Sequence, residues 1–183
     1  FMLRQKELDW FYQDGASRIF PEAWEGFLKP IDPKNHNNLM DAYYKIFNGS
    51  DEEKKLEAAI AWSRWEASTS TLDYMPELVS SFADPKFALA FAFIENHYFI
   101  NKGFLDSEDQ LIKRENIDKI RDIPTKIIQG RYDIICPMAT AWELSKNWAE
   151  AELIVAPSSG HSAFEKEITH HLISSTNEYG SNA

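Results

Sequence analysis

The stretch "TKIIQGRYDIICPMATAWELSKNWAEAELIVAPSSGHSAFE", residues 125–165, decides the fold. Its first six residues, 125–130, form a short apolar run that ends at a glycine, as buried strands commonly do. A helical pattern with proline near its start follows at 137–148, and "AELIVA" (151–156) has the pattern of a second strand. A last helix is predicted within 162–179. Short units of strand, helix, strand and helix predict parallel pairing in an α/β sheet.

The chain before this stretch has a helical character. Residues from about 20 to 115 show helix starts at proline, with Pro85 behind an Asp cap and Ser50 and Glu53 at the spacing of a capping box. We therefore predict three parts. Residues 1–19 end an N-terminal sheet part and lead into a cap, 20–115 form the helical cap, and 116–183 form a C-terminal α/β part.

Composition limits the classes of function. The 183 residues carry a net charge of −10, which argues against nucleic acid as a partner because phosphate binding needs basic patches. No apolar run has the roughly 18 residues of a membrane span. The single cysteine excludes an internal disulfide framework and fits a reducing compartment, so we expect a cytoplasmic protein.

Asp133 and His161 each follow one of the predicted strands. In open α/β sheets, ligands bind beyond the carboxyl ends of the strands, so both residues are expected at one edge. A carboxylate that orients a histidine base forms two thirds of a hydrolytic triad. Alternatively, Asp133 is a turn residue or helix cap and His161 is a loop histidine whose hydrogen bonds are satisfied.

A nucleophile is missing from this arrangement. The nucleophile elbow of α/β hydrolases has the pattern G-x-S-x-G, which does not occur in these residues. Cys136 lies three residues beyond Asp133, too close in sequence for a separate triad position, and is interpreted as a small buried packing residue. Two or three strands also cannot close a doubly covered sheet. We therefore expect His161 to serve a serine from a segment outside these 183 residues.

Several long motifs resemble the proline iminopeptidases, which are serine aminopeptidases of the α/β-hydrolase fold. "GRYDIICPMATAWELSKNWAEAELIVAPSSGHSAFE" is similar to the family's C-terminal part, and "WSRWE" and "IENHYF" are similar to its cap motifs. The resemblance covers nearly the whole chain. It implies catalytic roles for Asp133 and His161, no metal or other cofactor, and binding of the substrate's free amino group by Glu66 and Glu95.

The residues around these two glutamates fit that role. Glu66 lies close to two tryptophans in "WSRWE", and Glu95 falls on an α-helical stripe with Phe87, Phe91, Ile94 and Tyr98. An ionised carboxylate against aromatic surface is costly unless it is paired. An ammonium ligand would supply the pair and gain cation–π attraction. The alternative is a salt bridge to Arg64, Lys86 or another nearby base.

The resulting expectation is a serine aminopeptidase that releases N-terminal proline from peptides, here as a chain without its nucleophile segment and inactive alone. We expect homo-oligomers or association with the missing segment. Two alternatives stay open. An esterase or epoxide hydrolase of the same fold would keep Asp133 and His161 without needing two acids in the cap. A non-catalytic fragment would act as a binding or assembly module.

Overall fold

The computed structural model describes residues 1–181, which divide into two compact units. The helical unit comprises Leu3–Thr69 and Tyr74–Asp106. The second unit, here called the α/β unit, comprises Phe1–Met2, Ser70–Asp73 and the chain from Ser107 onward. The three parts 1–19, 20–115 and 116–183 stay predictions, and residues 182 and 183 of the last part lie outside the described residues.

Six α-helices build the helical unit. They are α1 (Gln5–Tyr12), α2 (Pro21–Leu28), α3 (Leu39–Phe47), α4 (Glu52–Thr69), α5 (Pro76–Phe82) and α6 (Pro85–Ile100). Proline occupies the start of α2, α5 and α6, where its missing N–H leaves no helical hydrogen bond unmade. Asp84 caps α6 by accepting from the backbone N–H groups of Lys86 and Phe87, at 3.1 and 3.0 Å. This helix therefore starts at the predicted cap.

The cap of α4 differs from the prediction by one residue. Asp51, rather than Ser50, precedes the helix and accepts a hydrogen bond from the Lys54 backbone N–H at 3.0 Å. Both residue types suit an N-cap, and an aspartate there also places a negative charge at the positive end of the helix dipole. The predicted capping box of Ser50 with Glu53 is therefore wrong.

Buried aromatic rings form the core of the helical unit. Tyr12, Phe27, Tyr43, Trp62 and Trp65 are all at most 4% exposed. Phe27 stacks on Tyr43 with 4.7 Å between ring centroids, and the Tyr43 hydroxyl donates to the Phe27 carbonyl oxygen at 2.5 Å. Large rings supply much apolar burial per residue, and the hydroxyl finds its acceptor inside the core. This core fixes α4, the helix that carries Glu66.

A small parallel sheet lies in the α/β unit. The helices and strands of this unit are α7 (Arg114–Ile117), β1 (Lys126–Gly130), α8 (Met138–Asn147), β2 (Glu152–Ala156) and α9 (Lys166–Ser181). The strands pair in parallel, from Lys126 opposite Glu152 to Gly130 opposite Ala156, so the predicted parallel pairing is confirmed. Most positions in both strands are only half-buried. The described chain is thus mostly helical with a two-stranded parallel sheet.

None of the helices within residues 1–181 is both long and apolar enough to cross a membrane.

Candidate active site

The loops that follow the two strands run side by side. Gly130 and Ala156, the last paired residues of β1 and β2, lie opposite each other. Beyond them, the Arg131 backbone N–H donates to the Ala156 carbonyl oxygen at 2.9 Å, and that of Tyr132 donates to the Ser159 carbonyl oxygen at 2.9 Å. The hydrogen bonds therefore continue past the sheet and hold the two loops together.

The structure brings Asp133 and His161 into direct contact across these loops. Nδ1 of His161 lies 3.0 Å from Oδ2 and 3.2 Å from Oδ1 of Asp133. The Asp133 side chain is 6% exposed, whereas that of His161 is 40% exposed. In the neutral imidazole, a proton on Nδ1 faces the carboxylate, and Nε2 is the nitrogen that can accept a proton. This is the geometry of an oriented base.

Two further hydrogen bonds fix the Asp133 carboxylate. The Cys136 backbone N–H donates to Oδ1 at 2.8 Å, and the Gln129 amide Nε2 donates to Oδ2 at 3.0 Å. Gln129 also donates to the Cys136 carbonyl oxygen at 3.0 Å. Both carboxylate oxygens thus accept a hydrogen bond from a group other than His161, which helps to fix the orientation of Asp133.

Cys136 has a different position from the one expected. The interpretation as a buried packing residue is wrong, because Cys136 is half-buried. Its sulfur lies within 4.8 Å of a ligand atom of Asp133 and of His161. The thiol is therefore part of the immediate surroundings of the imidazole.

These neighbours shift the acidity of His161. Burial lowers the pKa of the imidazole, but hydrogen bonds to Asp133 and Cys136 and electrostatic interaction with the same two groups raise it more strongly, from 6.5 to about 10. The site therefore stabilises the imidazolium ion. A hydrolytic triad uses the same effect when its histidine takes a proton from the nucleophile.

The His161 loop is attached to a distant segment of the chain. The backbone N–H groups of His161 and Ser162 donate to the Ser70 carbonyl oxygen at 3.0 and 2.8 Å. Glu165 bridges the same two segments, since its Oε2 accepts from the Gly160 N–H at 2.7 Å and its Oε1 accepts from the Leu72 N–H at 2.8 Å. Ser70–Asp73 therefore supports the backbone that carries His161.

Glu66 and Glu95 lie together in the helical unit. The Tyr12 hydroxyl donates to Oε1 of Glu66, and the Trp62 indole N–H donates to Oε2 of Glu95 at 2.8 Å. The rings of Tyr12 and Trp62 stack with 4.7 Å between centroids. A stacked aromatic pair thus connects the two carboxylates, and Glu66 is only 5% exposed.

The predicted aromatic stripe of α6 is mostly on the surface of the helical unit. Three members of that stripe are exposed: Phe87, Ile94 and Tyr98. The buried positions of the helix are Ala88, Ala92 and Asn96. Small side chains allow α6 to approach α4 closely, which brings Glu95 to Trp62.

Three supporting residues were not predicted from the sequence. Tyr12 is separated from Glu66 by 54 residues, so no local pattern links them. Gln129 lies inside β1. A polar residue just before the last glycine of an apolar strand was the one sequence signal that could have indicated its role. Glu165 follows a histidine loop and precedes a helix, and an acid at such a position is able to accept backbone N–H groups. The roles of Asp133, His161, Glu66 and Glu95 in catalysis or binding stay predictions.

Comparison with known proteins bears out the resemblance found in the sequence. No family model matches the chain. It is 52% identical over 179 residues to a probable proline iminopeptidase of Leptolyngbya boryana. The match covers 98% of this chain and 55% of the length of that relative. The chain is 49% identical over 179 residues to a proline iminopeptidase of Xanthomonas citri, with 98% of this chain and 56% of the relative covered.

A plant protein gives the same result. The chain is 50% identical over 175 residues to a proline iminopeptidase of Arabidopsis thaliana, covering 94% of this chain and 45% of the relative. The chain thus spans about half the length of the curated relatives it matches. Such identity over nearly all of the chain is far above chance.

Proposed function

We propose, from the relationship to proline iminopeptidases, that this chain is the cap and C-terminal part of an α/β-hydrolase that releases N-terminal proline from peptides. The observation that carries the proposal is the hydrogen-bonded pair of Asp133 and His161 on loops that follow two parallel strands. In this fold the acid and the histidine of the triad follow the nucleophile in chain order, and Asp133 precedes His161.

The proposed chemistry is acyl transfer through a serine outside these 183 residues. The serine Oγ attacks the carbonyl carbon of the first peptide bond while Nε2 of His161 accepts its proton, and that proton then passes to the leaving amine. Water attacks the acyl-enzyme in the same way and regenerates the serine. Asp133 keeps the imidazole in the productive tautomer and stabilises the imidazolium.

Glu66 and Glu95 supply the preference for a free N-terminus. Two carboxylates beside the aromatic rings of Tyr12 and Trp62 suit a cationic secondary ammonium group, as at an N-terminal proline. The indole N–H of Trp62 orients Glu95, and the Tyr12 hydroxyl orients Glu66. A neutral ester has no charge for these groups to recognise.

The proposal assigns three further properties. The 183-residue chain has no turnover by itself, because G-x-S-x-G does not occur in it. The complete enzyme acts on peptides in the cytoplasm. The reaction needs no cofactor, because the triad and the two carboxylates supply the proton transfers and the substrate charge pairing.

The test uses a full-length protein in which this chain is joined to the proposed nucleophile segment. A proline arylamide should be hydrolysed, and Glu66→Gln or Glu95→Gln should lower kcat/KM for it by roughly ten- to a thousandfold, the scale of a lost charge-assisted contact. An uncharged ester should be affected much less. His161→Ala should remove nearly all turnover of both substrates.

Two results would contradict the proposal. Equal losses on the arylamide and on the ester would mean that Glu66 and Glu95 support the fold rather than bind the amine. Retention of more than about a tenth of kcat by folded His161→Ala would mean that another residue is the base. Circular dichroism of each variant provides the control for folding.

A further inference from the structure

Three side chains of different chemistry surround one point between the strand-end loops. Asp133, Cys136 and His161 each offer one atom that can bind a metal ion, and these atoms all lie within 4.8 Å of one another. They are a carboxylate oxygen, a sulfur and an imidazole nitrogen. Zinc binds this combination of donors in proteins, usually with tetrahedral geometry.

The arrangement along the chain also suits a metal. Asp133 and Cys136 are separated by two residues on one loop, the short spacing that zinc sites use for a first pair of ligands, and His161 comes from the neighbouring loop. Ligand atoms around a tetrahedral zinc lie about 3–4 Å apart. The three candidate ligand atoms lie within 4.8 Å of one another, so small side-chain rotations would bring them to the spacing of a zinc site.

The surroundings support binding in two ways. Gln129 donates to Asp133 from outside the cluster, and such a partner orients a metal ligand. The Cys136 side chain is half-buried and that of His161 is 40% exposed, so an ion can enter from solvent. With the thiol ionised, the thiolate and the carboxylate carry two negative charges and neutralise a divalent cation.

We propose that Asp133, Cys136 and His161 bind a zinc ion that inhibits the hydrolase. Binding releases the thiol proton and any proton on the ligating imidazole nitrogen, and three protein ligands leave one position for water. The metal binds a nitrogen of His161 and an oxygen of Asp133. These atoms are then no longer available for the hydrogen-bonded pair that acts as the base in the proposed function. This consequence for activity rests on the proposed function, whereas the binding itself does not.

Binding is tested directly on the 183-residue chain. Calorimetric titration with Zn²⁺ should give one site per chain. Co²⁺ as a spectroscopic probe should give the charge-transfer absorption of a cobalt–thiolate bond. Cys136→Ser should abolish that absorption and weaken Zn²⁺ binding by at least roughly tenfold, the loss seen when even a supporting partner of a ligand is removed. His161→Ala should weaken binding similarly.

A surface histidine pair is the matched control. His170 and His171 have ring centroids 5.4 Å apart on α9 and could bind Zn²⁺ nonspecifically. The double change of His170 and His171 to Ala should leave the affinity unchanged. Loss of binding in that variant, unchanged affinity in Cys136→Ser, or no binding to the native chain would each overturn the proposal. Cys136→Ala, with circular dichroism, checks that any loss is not caused by unfolding.

Discussion

A single glycine sets how closely β1 approaches the loop of the candidate base. A Cβ atom added at Gly130 would lie 1.9 Å from the Gly160 carbonyl oxygen and 2.7 Å from that of Ser159. Both obstacles are backbone atoms, so a side chain cannot be accommodated by a rotamer change. The loop would have to move as a whole.

We therefore expect Gly130→Ala to lower the free energy of unfolding by about 1–3 kcal/mol, the usual cost of overpacking, and to displace the His161 loop. Chemical denaturation would measure the first effect and NMR shifts of the His161 ring the second. Gly26→Ala is the control, since a Cβ there meets nothing within 4 Å and the helical position should gain slightly from alanine. Equal stability changes in both variants would refute the close-approach argument.

The charge state of His161 is the second expectation at this scale. Because Cys136 helps to raise the pKa of His161 to about 10, Cys136→Ser should lower that pKa, while Asp133 keeps it above 6.5. A raised pKa stabilises the fold fully below pH 6.5, and this stabilisation is lost as pH rises through about 10. NMR titration of the imidazole would measure the shift. An unchanged pKa in Cys136→Ser would mean that the thiol does not influence the ring.

At the scale of elements, local patterns predicted much of what the structure contains. Apolar runs that end at glycine or proline indicated β1 and β2. The alternation of strands and helices along the chain predicted parallel pairing, and with it a shared sheet edge for Asp133 and His161. Contacts between distant segments could not be predicted. Tyr12 with Glu66, and Leu72 with Glu165, depend on tertiary packing that no local periodicity records.

Glu165, at the start of the segment leading into α9, should act as a positioning residue for the His161 loop. Glu165→Gln removes the charge and one of two acceptor oxygens, so amide hydrogen exchange at Leu72 or Gly160 should accelerate roughly ten- to a hundredfold, as for a lost hydrogen bond to a charged group. Glu167→Gln is the matched control, because Glu167 holds Ser158 instead and should leave Leu72 protected. Equal exchange at Leu72 in both variants would show that Glu165 has no special role.

For the whole molecule, the sheet determines the expected behaviour in solution. Among the described residues it has two strands, and Ile127, Ile128, Leu153 and Ile154 in their interiors are only half-buried. Strand edges and apolar surface of this kind favour association. We expect the 183-residue chain to form oligomers, and to lose them when the nucleophile segment of the proposed function is supplied in trans. Sedimentation velocity would test both, and a monomer at all concentrations would contradict the first.

The attachment of Ser70–Asp73 to the His161 loop also has a consequence for the order of folding. Leu72 and Glu165 are 93 residues apart, and each doubling of such a loop adds about 0.6 kcal/mol to the entropy cost of closing it. During synthesis the N-terminal segments leave the ribosome first and can fold first. The aromatic core of the helical unit can therefore assemble before residues 70–73 form their hydrogen bonds to the His161 loop and Glu165. His161 is held in place only after Glu165 has been made, so the chain acquires its candidate catalytic geometry as one of its last folding events.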